Sequence, residues 1–140
     1  YFEEGLLLEP YSRDMLDGYA RSFYYLKEYD KAIAIYESII KIEPSDVDTW
    51  FNYGALLGDM EEFDAAIDIL EKGFELTQST ELFFKMTAVS FDAKNDSLGL
   101  SLLKKGLTKF GKDIAKFYEY YPNYNDNVAI MELINKNKDL

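Results

Sequence analysis

Apolar residues return along this chain with a fixed period. Leu16, Trp50 and Phe84 are spaced by 34 positions, and so are Ala20, Gly54 and Ala88, and then Phe23, Leu57 and Phe91. The small residues in these series fall where two helices must cross closely. A second pattern keeps the same step. Phe2-Glu-Glu-Gly-Leu-Leu-Leu-Glu-Pro10 matches Tyr36-Glu-Ser-Ile-Ile-Lys-Ile-Glu-Pro44, and the motif returns at Leu70–Gln78 and Leu103–Gly111 with Gly5, Gly73 and Gly106 in register. A period between about 20 and 50 residues is the mark of a solenoid, in which each unit buries its apolar face only against its neighbours.

The pattern predicts helices near 1–9, 12–26, 30–42, 46–58, 64–76, 80–93, 97–109, 112–121 and 126–136, and no strands. Ser12, Ser45 with Asp48 three positions on, and Thr80 are the expected N-caps of the first helix in each pair. The second helices are expected to start at Asp30, Asp64 and Asp96-Ser97, with Tyr29 and Phe63 stapling the chain just ahead of them. Asn125-Asp126 is the expected cap of the last helix. Pro122 cannot continue a helix begun at Ile114, so the pattern changes there.

A repeat of 34 residues is the length of the tetratricopeptide repeat, and the chain resembles that family. The middle repeat carries Trp50, Gly54, Leu57 and Ala66 in the family's loose pattern of aromatic, small, large and Ala. The first full repeat carries Ala20, Phe23, Ala32, Tyr36 and Pro44. The resemblance covers residues 1 to 111. It departs at Gln78, which stands in place of the closing Pro, and at Gly99, which stands in place of the usual Ala. The third repeat is also one residue short, with the loss read near Lys94-Asn95-Asp96. The fold implied is all-α, a right-handed superhelical solenoid of antiparallel helix hairpins. Its expected units are a partial repeat at 1–12, full repeats at 13–46, 47–80 and 81–113, and capping helices at 112–140. Because the chain opens in the second half of a repeat, a partner helix is expected upstream.

In the family the first helices line a concave groove. Carried over by register, the groove positions of the first repeat are Asp14, Asp17, Arg21, Tyr24 and Tyr25. Those of the second are Asp48, Phe51, Ala55, Gly58 and Asp59, with Asn52 beside them. Those of the third are Leu82, Lys85, Val89, Asp92 and Ala93. Some family members clamp the terminal carboxylate of chaperones with Lys, Asn and Arg side chains. Here those positions hold Asp17, Arg21, Asn52, Leu82 and Met86, of which only Asn52 matches, so the cations that attract a carboxylate are missing. Two readings fit the acidic positions: a wall selecting Lys- or Arg-bearing ligands, or a solvated helix face. Tyr24, Tyr25 and Phe51 are either anchors for a peptide or packing between hairpins. Tyr118, Tyr120, Tyr121 and Tyr124 are read as covering the end of the solenoid.

Composition narrows the chemistry. Fifteen Lys and Arg against 26 Asp and Glu leave a formal charge of −11 over 140 residues, which repels nucleic acid and anionic membranes. There is no Cys and no His, which removes thiolate metal sites, Ser-His-Asp sets and the usual physiological-pH base. Glu61-Glu62 and Glu3-Glu4 diverge around their helices and are read as solvated. No apolar stretch approaches the roughly 18 residues of a membrane span. No cofactor and no catalytic centre are expected. The expectation is a cytoplasmic protein-interaction module, a scaffold or adaptor that takes a basic or apolar peptide or helix. Two other readings stay open: a regulatory or oligomerisation segment of a larger enzyme, and a chaperone-like holder of assembling or secreted subunits.

Overall fold

The computed structural model describes residues 13–137; the side chains of Arg13, Asp14 and Asp17 are outside that description, as is the helix expected over 1–9 with the cap expected at Ser12. The described residues form eight α-helices and no strand: α1 (Arg13–Tyr25), α2 (Tyr29–Ile42), α3 (Val47–Asp59), α4 (Phe63–Thr77), α5 (Thr80–Asp92), α6 (Asp96–Phe110), α7 (Ala115–Tyr120) and α8 (Val128–Asn137). Short 3₁₀ turns at Gly111–Asp113 and Pro122–Asp126 flank α7. Consecutive helices pair as hairpins, α1 with α2, α3 with α4 and α5 with α6. Each hairpin then stacks on the next through α2 on α3 and α4 on α5. The leading helices also meet one another, α3 with α5 and α5 with α7, while α8 closes on α6. This is an all-α solenoid of helical hairpins.

Each hairpin turns on a residue in the left-handed region, Lys27 (φ 61°), Glu61 (φ 61°) and Lys94 (φ 63°). The backbone bonding repeats with them. The amides after those residues, of Glu28, Glu62 and Asn95, donate to the carbonyls of Phe23, Leu57 and Ser90. This closure ties the end of one helix to the start of the next through the backbone alone. Tyr29 and Phe63 therefore sit inside α2 and α4 as first residues, with Glu28 and Glu62 as caps that make no side-chain bond, rather than ahead of caps at Asp30 and Asp64.

Four other expectations need correction. The cap of α3 is Asp46, one residue after Ser45, and its carboxylate accepts from the Thr49 amide at 3.1 Å and from the Thr49 hydroxyl. The cap of α5 is Ser79; Thr80 instead donates its hydroxyl to Asp113 at 3.0 Å. The cap of α8 is Asn127, whose side-chain oxygen accepts from the Ile130 amide at 3.1 Å. Finally, the missing residue of the third repeat is not near Lys94. Turn residues Lys27 and Glu61 are 34 apart, but Glu61 and Lys94 are 33 apart, and the starts of α3 and α5, Val47 and Thr80, are already 33 apart. The loss lies in the connection ahead of α5, where only Gln78 and Ser79 separate two helices, against four residues between α2 and α3. Gln78 takes the left-handed conformation there (φ 58°), which turns the chain in less length than the Pro-containing connection uses.

The core runs the length of the stack. Trp50 is buried and its indole N–H donates to the Pro44 carbonyl at 2.8 Å. A Cβ on Gly73 would lie 2.7 Å from the Trp50 ring and 2.9 Å from Leu82, so the absent side chain is what lets α4 sit against both α3 and α5. Gly54 makes the same room for Leu70, and Gly99 for Phe91.

Candidate protein-binding groove

On the inner side of the stack, α1 and α3 stand apart at one place and leave an open cleft of about 370 Å³ lined by Arg21, Tyr24, Tyr36, Asp48, Asn52, Ala55, Leu56 and Asp59. Six of these eight are the first-helix positions carried over by register in the first two repeats. Helical spacing explains the convergence. Asp48, Asn52, Ala55 and Asp59 are separated by four, three and four residues and so share one face of α3. Arg21 and Tyr24 share the opposing face of α1.

The mouth of the cleft is held by one cross-helix bond. The Tyr24 hydroxyl donates to Asp59 Oδ2 at 2.7 Å. That bond, with the charge of the same carboxylate, pushes the Tyr24 phenol up to about 12. Tyr25 and Tyr29 lean on the Tyr24 ring at 5.7 and 6.1 Å between centroids. The back wall is Tyr36 of α2, buried and stacked on Tyr53 at 6.0 Å. Burial and the charge of Glu37 push the Tyr53 phenol up. Asp48 and Asn52 are exposed on the floor and make no hydrogen bond or ion pair among the described residues. The cleft thus offers one unengaged carboxylate and one carboxamide from α3, a guanidinium from α1 and two aromatic faces.

The remaining expected groove residues are elsewhere. Phe51 and Lys85 form a second cluster with Tyr120 of α7. The Phe51 and Tyr120 rings are 5.1 Å apart, and Lys85 Nζ lies 5.4 Å from the first centroid and 5.9 Å from the second. Asp92 closes α5 away from the cleft, where burial pushes its carboxyl above the usual range while Lys85 and Lys94 pull it back. Asp14 and Asp17 fall outside the described side chains. Leu82, Met86 and Val89 are core residues at 0, 3 and 2% exposure, not groove-facing ones. The residue lost ahead of α5 shifts its equivalences by one, so Asp48, Asn52 and Asp59 correspond to Glu81, Lys85 and Asp92.

Beyond Lys85 the inner face is built by α7. Phe117 is fully buried and packs on Phe91 at 5.9 Å and on Tyr121 at 5.9 Å, while Tyr118 stacks on Tyr124 at 4.3 Å. Lys116 pairs with Glu81 at 3.3 Å. Three residues here are outside the sequence expectation for the groove, Tyr36 and Leu56 in the cleft and Tyr120 beside Phe51. Tyr36 sits on a second helix, which the family register leaves out of the groove, and Tyr120 was assigned wholly to the end cover. The one available signal was that Phe51, Lys85 and Tyr120 follow each other by 34 and 35 positions, one per leading helix.

Among the described residues no helix is long and apolar enough to cross a membrane, and no three acidic side chains gather as metal ligands would. No curated protein matches the chain. Two family models, each described as tetratricopeptide repeat, match residues 13–56 and 47–80, the two hairpins that form the cleft. Residues 13–80 thus carry tetratricopeptide repeats, and the α5–α6 hairpin continues their turn and packing; such repeats are generally protein–protein interaction modules and typically non-catalytic scaffolds.

Proposed function

We propose that the α1–α3 cleft is the binding site of a non-catalytic scaffold or adaptor, and that it takes a segment of a partner protein presenting a Lys or Arg beside an apolar side chain. One observation carries this reading: Arg21, Tyr24, Asp48, Asn52 and Asp59, spread over two repeats, converge on one open cleft. The Asp48 carboxylate supplies the complementary charge, and the net charge of −11 draws a basic partner in from a distance. Tyr24 and Tyr36 supply rigid faces against which an apolar or cationic side chain can lie. Arg21, on the facing wall, has donors for a carbonyl of the bound segment. In this reading α5 and α6 are a third repeat and residues 112–137 a cover for the end of the stack, which keeps the inner face the working surface.

The test is selection of random 12-residue peptides on the purified chain. Enrichment of Lys or Arg next to an apolar residue is the expected outcome. The selected peptides should bind Asp48→Asn roughly tenfold more weakly, and more weakly still as salt is raised, since an exposed charge pair is screened. Equal capture by the wild type and by the Asp48→Asn, Asn52→Ala double variant would refute the assignment.

A further inference from the structure

The inner face changes character between α3 and α5. We propose that Phe51, Lys85 and Tyr120 form a bar that ends the groove, confining a bound partner segment to the α1–α3 half and so to a short stretch of extended chain; this rests on the groove reading above. The three side chains come from three different leading helices, and α5 packs on both α3 and α7. The ring of Tyr120 nevertheless reaches past α5 to Phe51, 5.1 Å between centroids, with Lys85 Nζ over both rings. An aromatic of the chain itself therefore occupies the place on Phe51 that an aromatic anchor of a ligand would need. The bar is fixed and does not serve as a movable lid, because α7 is held independently of Tyr120. Phe117 is fully buried, Lys116 pairs with Glu81, and Thr80 bonds Asp113.

Leading helices in contact lie about 8 to 10 Å apart, and an extended chain advances about 3.3 Å per residue. A segment that continues from the cleft over α5, which packs on α3, therefore needs about three residues more than one that stops at the bar. The kind of partner follows: a short linear motif with its specificity held in one window, not a long helix running the length of the stack.

The experiment compares the peptides enriched from a random 12-residue display library by the wild type, by Tyr120→Ala and by Phe51→Ala, which opens the bar from the other side without touching α7. The wild type should give one short enriched window, and each variant a window about three positions longer than it. In Tyr120→Ala a new aromatic preference should appear in the added part. A wild-type peptide extended by that aromatic should gain roughly three- to tenfold in affinity for Tyr120→Ala, the range of an aromatic pair, and less than about twofold for the wild type. Unchanged windows in both variants, with the basic motif still present, would overturn the bar and leave the cleft assignment standing. Loss of the basic motif from all three selections overturns the cleft assignment and the bar with it. The bar has its own check without ligand: nuclear Overhauser contacts between the Phe51 and Tyr120 rings are expected in the free protein, and their absence overturns it whatever the peptides do.

Discussion

The two ends of the inner face are built from the same kind of helix and end in different states. Between α1 and α3 the lining is polar or aromatic apart from Ala55 and Leu56, the helices stand apart, and one bond from Tyr24 to Asp59 bridges them. Between α5 and α7 the space is filled by Phe91, Phe117 and Tyr121 in mutual contact. The difference arises from what each leading helix must bury. α5 is packed by a hairpin on one side and by α7 on the other, and nine of its thirteen residues are buried. Asp48, Asn52 and Asp59 of α3 have no such cover. Openness in a solenoid is thus set position by position, by whether the next unit brings a large apolar side chain across.

Removing the filler should do the most damage. Phe117→Ala empties a fully buried site and should lower stability by about 3 to 5 kcal/mol in chemical denaturation. A separate early loss of α7 and α8 in hydrogen exchange, with the α1–α3 half still protected, would sharpen the contrast between the two ends. Gly73→Ala attacks the joint between them. Its methyl would lie 2.7 to 2.9 Å from Trp50 and Leu82, both buried, so a loss of about 1 to 3 kcal/mol is expected by thermal melting. Gly58→Ala, on the open side of α3 with nothing within 4 Å of the added carbon, should instead stabilise by about 0.5 to 1 kcal/mol. A loss at Gly58 comparable to that at Gly73 would break the distinction between open and filled faces.

The smallest effect is expected at Tyr24→Phe. The bond to Asp59 is exposed, so its contribution should stay below about 1 kcal/mol. Its pH dependence identifies it. The Tyr24 phenol is raised in the folded state from the ordinary value near 10 to about 12, so the contribution is complete below about pH 10 and is lost as pH rises through 12. The denaturation midpoints of wild type and Tyr24→Phe should differ at pH 8 and converge toward pH 12. A difference that grows with pH would contradict the assigned bond.

The hairpins and the cleft were legible in the sequence for one physical reason: helices exposed on one side must alternate apolar and polar residues with the helical period. Asp48, Asn52 and Asp59 come from the register of the resembled family, and the burial of Thr49, Trp50 and Tyr53 on the other face of α3 agrees with it. That signal disappears in α5. With Phe83, Phe84, Met86, Thr87, Ala88 and Val89 buried together, the pattern no longer marks an inside face, and nothing in it reveals the one-residue shift of register. Leu82 and Val89 were expected in the groove for that reason. The shortening at Gln78–Ser79 was hidden because a left-handed residue, and not a deletion in the hairpin turn, absorbs it. Tyr120 was legible as apolar cover but not as a contact of Phe51, since that contact skips a helix.

Trp50 is the chain's only tryptophan, and it lies where the middle hairpin meets both Pro44 before it and Leu82 after it. The molecule therefore contains its own optical gauge. Separation of the central unit from either flank would move this indole from a dry setting into water and redden its emission, so ordinary fluorescence can follow how the stack comes apart without any label.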